Sequence, residues 1–244
     1  MIQASRFQEF YDPELGRDFT ELGIATLPVM APVMSGPEQM ITKVYKTAKE
    51  ILGDKKFLVM LGGEHSLTVG TVMAHHELFP HMGVLQIDAH LDLRDEYDGT
   101  PFNHACAMRR CLDYCSIVQV GMRSVAEEEA EFVASQSFKP YYSWKVRKDK
   151  QWIKKVEKEL PQDVYVTIDL DGLDPSIMPA VGTPEPDGLL WREVIDLLST
   201  VAASHRIVGC DVVELCPIPG FISPDYIASK LVYKLICLAH QNVK

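Results

Sequence analysis

Short apolar runs alternate along this chain with longer runs of helical spacing. Residues 57–61, 83–87, 116–120, 164–168 and 206–213 are brief, mostly apolar stretches and read as buried strands. After Pro37, the residues Met40, Val44, Ala48 and Ile51 recur at helical spacing. Helices are also predicted over 66–79, with Ser66 as a cap, and over 102–112, 125–134, 152–160 and 189–204. A last one runs over 224–240, with Pro224 suited to its first turn. A polar loop, 93–101, and a Pro/Gly-rich loop, 169–188, break the alternation. Strands alternating with helices predict an α/β fold in three layers, α/β/α, with a mostly parallel central sheet. With 244 residues, no internal repeat and no linker, the chain reads as a single domain, 1–244.

Composition narrows the class. Hydrophobic content of 47% and no low-complexity tract fit a compact globular protein. No apolar run reaches the roughly 18 residues needed to span a bilayer. No secretory signal is visible, so a cytoplasmic protein without membrane contact is expected. The six cysteines show no zinc spacing and read as reduced, mostly buried thiols. A net charge of −10 excludes nucleic acid as the expected partner and suits a small cationic one.

Three motifs carry candidate chemistry. Gly62-Gly63-Glu64-His65-Ser66, Asp88-Ala89-His90-Leu91-Asp92 and Asp169-Leu170-Asp171-Gly172-Leu173-Asp174-Pro175 each follow an expected strand. Side chains at i, i+2 and i+4 of a strand share a face. Asp88, His90 and Asp92 therefore converge if the backbone stays extended past the strand end, and Asp169 and Asp171 do the same. With His65 this places two imidazoles and four carboxylates at the carboxyl ends of three strands, where open α/β sheets bind ligands. Oxygen and imidazole donors without thiolate suit manganese, and also zinc, iron, nickel or cobalt. Two divalent cations would balance four crowded carboxylates, which favours a pair over one ion. Taken singly, a strand-end Asp is often a helix cap and a His a core residue. Their recurrence at successive strand ends points to metal.

These stretches resemble the ureohydrolase family of arginases and agmatinases, from about Ser5 to the C-terminus. Residues 169–186, DLDGLDPSIMPAVGTPEP, are similar to its second metal motif. Asp211-Val212-Val213-Glu214 resembles its guanidinium-binding motif. DLRDEY at 92–97, with Asn103-His104-Ala105-Cys106, is most similar to archaeal-type agmatinases. The resemblance implies an arginase-like fold, two Mn2+ ions and a homo-oligomer, trimer or hexamer. It implies that Asp88 and Asp169 bridge the metals, His65 and Asp92 complete one, and His90 and Asp171 complete the other. The family's opening strand–helix unit has no counterpart before Ser5, so either the sheet lacks the usual first strand or the given start lies downstream of the true one. His104 is followed by Ala105 where family members carry Gly.

Residue chemistry supplies the remaining roles. Glu214, in an apolar strand, can accept two parallel N–H bonds from a guanidinium, the alternative being a pair with a local Lys or Arg. His104, titrating near neutral pH, is the candidate proton donor to the leaving amine; otherwise it is a surface His before a helix. Asp211 is a candidate for orienting a metal ligand. His75, His76, His81, His205 and His240 read as structural or surface residues. No Ser-Gly-Asn loop for an amino-acid head occurs between Asp92 and Arg110, and Asp95, Glu96 and Asp98 form an acidic rim suited to an ammonium tail. Agmatine, hydrolysed to putrescine and urea, is therefore the expected substrate. Aminopropylagmatine suits the same rim, and guanidinobutyrate would be favoured if Arg94 pointed inward. Arginine and a non-catalytic metal-binding subunit stay open, whereas a two-metal phosphoesterase lacks an Arg/Lys cluster.

Overall fold

The computed structural model describes residues 1–242. Its elements run α1 (Ile2–Ser5), β1 (Tyr11–Asp12), β2 (Arg17–Asp18), α2 (Pro37–Gly53), β3 (Val59–Leu61), α3 (Thr68–Leu78), β4 (Gly83–Ile87) and α4 (Ala107–Cys111). They continue with β5 (Ser116–Met122), α5 (Glu127–Ser135), β6 (Tyr141–Tyr142), α6 (Ser143–Val146), α7 (Trp152–Glu159), β7 (Asp163–Asp169), α8 (Trp191–Ser204), β8 (Arg206–Val213) and α9 (Ser223–Ala239). β1 and β2 form a small antiparallel pair. The other six strands make one sheet in the order β3-β8-β7-β4-β5-β6, parallel throughout.

Alternation along the strands sorts the core into two layers. Leu85, Ile87, Val166, Ile168 and Val212 face α7, α8 and α9 through Val156, Leu197, Val201 and Leu231. Val84, Ile117, Tyr165 and Val208 face α2, α3 and α4 through Ile41, Val69, Val72 and Met108. Because both faces are covered, the central strands read as continuous apolar runs rather than alternating ones. Each fully buried aliphatic side chain contributes about 1.5–3 kcal/mol by burial. Truncating Leu85 to Ala would therefore cost about 2–5 kcal/mol.

β3 lies at the sheet edge, paired with β8 alone among the described strands. Its Val59, Met60 and Leu61 are only partly buried, whereas all of β4 is buried. Before it, residues 24–35 form no helix or strand, and Val29 and Met34 are 97% and 91% exposed. The main sheet thus has six strands among the described residues, with β3 at one edge and β6 at the other.

Other differences are local. The helix expected over 102–112 divides into a 3-10 turn, His104–Cys106, and α4. Asn103 caps that turn by accepting the Ala105 N–H. β5 continues past its expected end through Gly121, which adopts φ +99 and where a Cβ would lie 2.9 Å from the Asp88 carbonyl oxygen. β6 is too short to announce itself in a pattern of period two. The cysteines are all free thiols, with Cys106, Cys111, Cys210 and Cys237 buried. Among the described residues no helix is long and apolar enough to cross a membrane.

Candidate metal and active centre

The carboxyl ends of β3, β4 and β7 bring the three motifs together. His65 opens a 3-10 turn, His65–Leu67, beyond β3. Its Nδ1 lies 2.9 Å from an Asp92 oxygen, 3.1 Å from Asp88 and 3.4 Å from Asp169. His90 Nδ1 lies 3.0 Å from Asp171 and 3.5 Å from Asp88. Two groups have donor atoms close enough to share an ion: His65, Asp88 and Asp169, and Asp88, His90 and Asp171. Asp88 belongs to both.

The convergence does not come from extended backbone, as the spacing suggested. Asp92 swings toward His65 through a left-handed turn at φ +54. Asp171 sits in a 3-10 turn, Leu170–Gly172, whose start Asp169 caps by accepting the Asp171 N–H at 2.9 Å. That turn presses against the end of β4: a Cβ on Gly172 would lie 2.7 Å from the Asp88 nitrogen. Glu214 also lies in the left-handed region, at φ +64. Non-glycine residues held there mark constrained positions, and two occur in this site.

Buried polar side chains hold the donors in place. His65 Nε2 is 2.9 Å from Thr167 Oγ1, which itself donates to Asp211 at 2.6 Å. Tyr165 donates to the other Asp211 oxygen at 2.7 Å. Gln119 donates to Gln86 Oε1 at 2.6 Å, and Gln86 donates to Asp88 at 2.7 Å. Thr183 donates to Asp171 at 3.0 Å, as does the Ala89 N–H at 3.1 Å. Arg123 donates to the carbonyls of Asp171 and Glu185 at 2.6 and 2.7 Å, joining the 185–186 loop to the ligand-bearing turn. Glu129, buried, receives the Leu93 N–H and fixes the start of the 93–101 loop. None of Thr167, Tyr165, Gln86, Gln119, Thr183, Arg123 or Glu129 stood out in the sequence reading. The available signal was a polar residue inside a run otherwise read as buried strand, as at Gln86, Gln119 and Thr167.

The donor set fits cations. Thr167 gives its hydrogen to Asp211, so it accepts from His65 Nε2–H. His65 Nδ1 is then a bare lone pair, buried, without a hydrogen-bond partner and facing three carboxylates. That arrangement is repulsive unless positive charge lies between them. The electrostatics of the protein alone express the same demand. Burial and the Asp88 charge push Asp92 up to about 7. Burial, with Asp171 and Asp88, raises Asp169 well above the usual carboxylate range. Against the burial penalty, Asp171 and Asp88 push His90 up to about 11. A pair of divalent cations meets this excess of negative charge with no proton on any donor.

Around these donors lie the candidate substrate groups. Glu214 accepts the His65 backbone N–H at 2.8 Å, and burial raises its pKa. Among the described residues it makes no ion pair with Lys or Arg, so the pairing alternative does not hold. His104 is half-exposed, and its Nδ1 lies 2.9 Å from Glu64, which raises its pKa. The acidic rim is smaller than the sequence suggested. Asp95 pairs with Arg110 at 2.8 Å and lies 3.8 Å from Arg109. Arg94 pairs with Glu128 at 3.3 Å and lies over the Tyr97 ring. His75 is buried in α3 beside the Thr71 carbonyl, and His205 and His240 lie beside the carbonyls of Pro161 and Ile236.

A six-stranded parallel sheet with this cluster at its carboxyl edge defines an arginase-like α/β protein. The Arginase family model matches residues 1–237. The chain is 36% identical to an N(1)-aminopropylagmatine ureohydrolase of Synechocystis sp., covering 97% of this chain and 80% of that protein. It is 36% identical to an agmatinase of Pyrococcus horikoshii, covering 96% and 81%. Among solved structures, the agmatine ureohydrolase of Thermoplasma volcanium superposes with a TM-score of 0.89 at 34% identity, covering 98% and 81%. The chain belongs to the arginase (ureohydrolase) family, hydrolases of guanidino compounds that depend on a binuclear metal centre.

Proposed function

We propose that this protein is a manganese ureohydrolase that cleaves the guanidino group of an amine-tailed substrate, releasing urea and a polyamine. Agmatine, giving putrescine, is the simplest such substrate. The observation that carries the reading is the double use of Asp88, which lies in both donor groups, with Glu214 bonded to the backbone of His65 beside it. By resemblance to the family, Asp88 and Asp169 together with His65, Asp92, His90 and Asp171 would hold the two ions. Bound divalent cations would supply hydroxide at neutral pH by lowering the pKa of water from 15.7 to about 7.

The chain's own residues supply the rest. Glu214 receives the planar guanidinium through paired N–H bonds and holds its carbon over the metal site. His104 gives its proton to the departing amine nitrogen, so that the amine leaves neutral and urea separates. Thr167 and Gln86 hold His65 and Asp88 in orientation.

The substrate's tail is read from the 93–101 loop. Arg94 is held by Glu128 and Tyr97, which removes the cation that a carboxylate tail would need. With Asp95 engaged by α4, Glu96 and Asp98 remain as the acids that suit an ammonium tail. N(1)-aminopropylagmatine is a second reading, supported by its use in naming relatives at 36% and 34% identity. A cytoplasmic homo-oligomer completes the proposal. The test is urea release from agmatine, aminopropylagmatine, guanidinobutyrate and arginine at fixed manganese and salt. Higher kcat/KM for the two amine-tailed compounds is expected. A preference for guanidinobutyrate would reject the reading of Arg94, and no urea from any of the four would reject the function.

A further inference from the structure

We propose that Glu64 is a positioning residue for His104, fixing which ring nitrogen carries the proton and which faces the substrate. The role given to His104 rests on the ureohydrolase reading; the clamp itself rests on geometry. Glu64 stands one residue before the candidate ligand His65, in extended backbone at φ −75 and ψ 148. From there its carboxylate crosses to a loop that lies 40 residues further along the chain. Oε1 accepts the His104 backbone N–H at 3.0 Å and faces the His104 Nδ1 at 2.9 Å. Oε2 accepts the Ser66 hydroxyl at 2.5 Å. The carboxylate is thus held by its own turn at one oxygen and grips both the main chain and the ring of His104 with the other.

An ionised carboxylate only accepts, so the facing Nδ1 must carry a hydrogen. Nε2 is then the nitrogen left for the substrate, as lone pair in the neutral ring and as acid in the protonated one. The Tyr97 ring packs edge-on against the imidazole, with centroids 6.0 Å apart, and limits its rotation further. A half-exposed histidine in a short 3-10 turn has few packing contacts of its own. Without Glu64 it would sample several rotamers and both tautomers. The same carboxylate links the start of the turn that carries the candidate ligand His65 to the ring of His104, so the two keep a fixed spacing.

Two measurements test this. The first compares urea release by Glu64→Gln, His104→Asn and the double variant, with bound manganese measured in each. Glu64→Gln is expected to lower kcat on the order of 10–100-fold, with KM and metal content little changed. The double variant is expected to be no slower than His104→Asn, because Glu64 acts through that ring. Multiplying losses, or an unchanged kcat in Glu64→Gln, would overturn the proposal. The second measurement needs no turnover. With diamagnetic zinc in the site, 15N imidazole shifts should report Nδ1–H for neutral His104, and a move toward Nε2–H in Glu64→Ala. An Nε2–H tautomer in the unaltered protein would overturn the clamp. An Nδ1–H tautomer in a protein that hydrolyses none of the guanidines would support the clamp and count against the function.

Discussion

His65 Nε2 lies 2.9 Å from Thr167 Oγ1, and the same hydroxyl donates to Asp211 at 2.6 Å. Thr167 thereby relays a buried carboxylate to a candidate metal ligand and leaves His65 Nδ1 as the nitrogen that would hold an ion. Thr167→Val keeps the shape of the side chain and removes the relay. Manganese affinity should fall about 10–100-fold, the usual effect of losing a group that orients a ligand. Calorimetric titration of the chelated protein checks it, and an unchanged Kd would reject the relay.

Asp88 joins both donor groups, so its loss should empty both ions rather than one. Asp88→Asn preserves size and fold while removing the charge. Bound manganese per chain, measured after gel filtration, is expected to fall well below one ion. Retention of a full ion would show that Asp88 serves only one site.

Glu214→Gln tests the guanidinium anchor. Charge-assisted hydrogen bonds contribute about 1.5–3 kcal/mol, which predicts roughly a 10–150-fold fall in kcat/KM. The Gln oxygen can still accept the His65 N–H, so metal content should hold. An unchanged kcat/KM would remove Glu214 from the substrate site.

His75 predicts a pH effect on stability away from the metals. Burial pushes it down to about 4, from 6.5. Its Nδ1 lies 2.7 Å from the Thr71 carbonyl, and Nε2 is shut against Gly209. The folded state therefore resists a proton that the unfolded chain accepts. This contribution is fully present above about pH 6.5 and is lost as pH falls toward about 4, amounting to about 3 kcal/mol. Urea unfolding across that range should show a smaller acid loss in His75→Gln than in the parent. Equal losses would assign the acid sensitivity to other groups.

Much of this protein was written in its residue order. The apolar runs at 83–87 and 206–213 became β4 and β8 with their expected bounds, because strands buried on both faces need uninterrupted apolar residues. The strand-end grouping of Asp88, His90, Asp92, Asp169 and Asp171 was equally legible, since polar residues closing buried strands are local features. What the order could not show was how these side chains meet. Asp92 reaches His65 through φ +54, and Asp171 reaches His90 from a 3-10 turn held against β4 by Gly172. Those turns are set by contacts between segments about eighty residues apart, such as Ala89 N–H to Asp171, which no periodicity encodes. The same holds for Glu64 on His104, Arg94 on Glu128 and Thr167 on His65. Each is a polar group whose partner is chosen by sheet order and loop packing, so only the tertiary structure decided it.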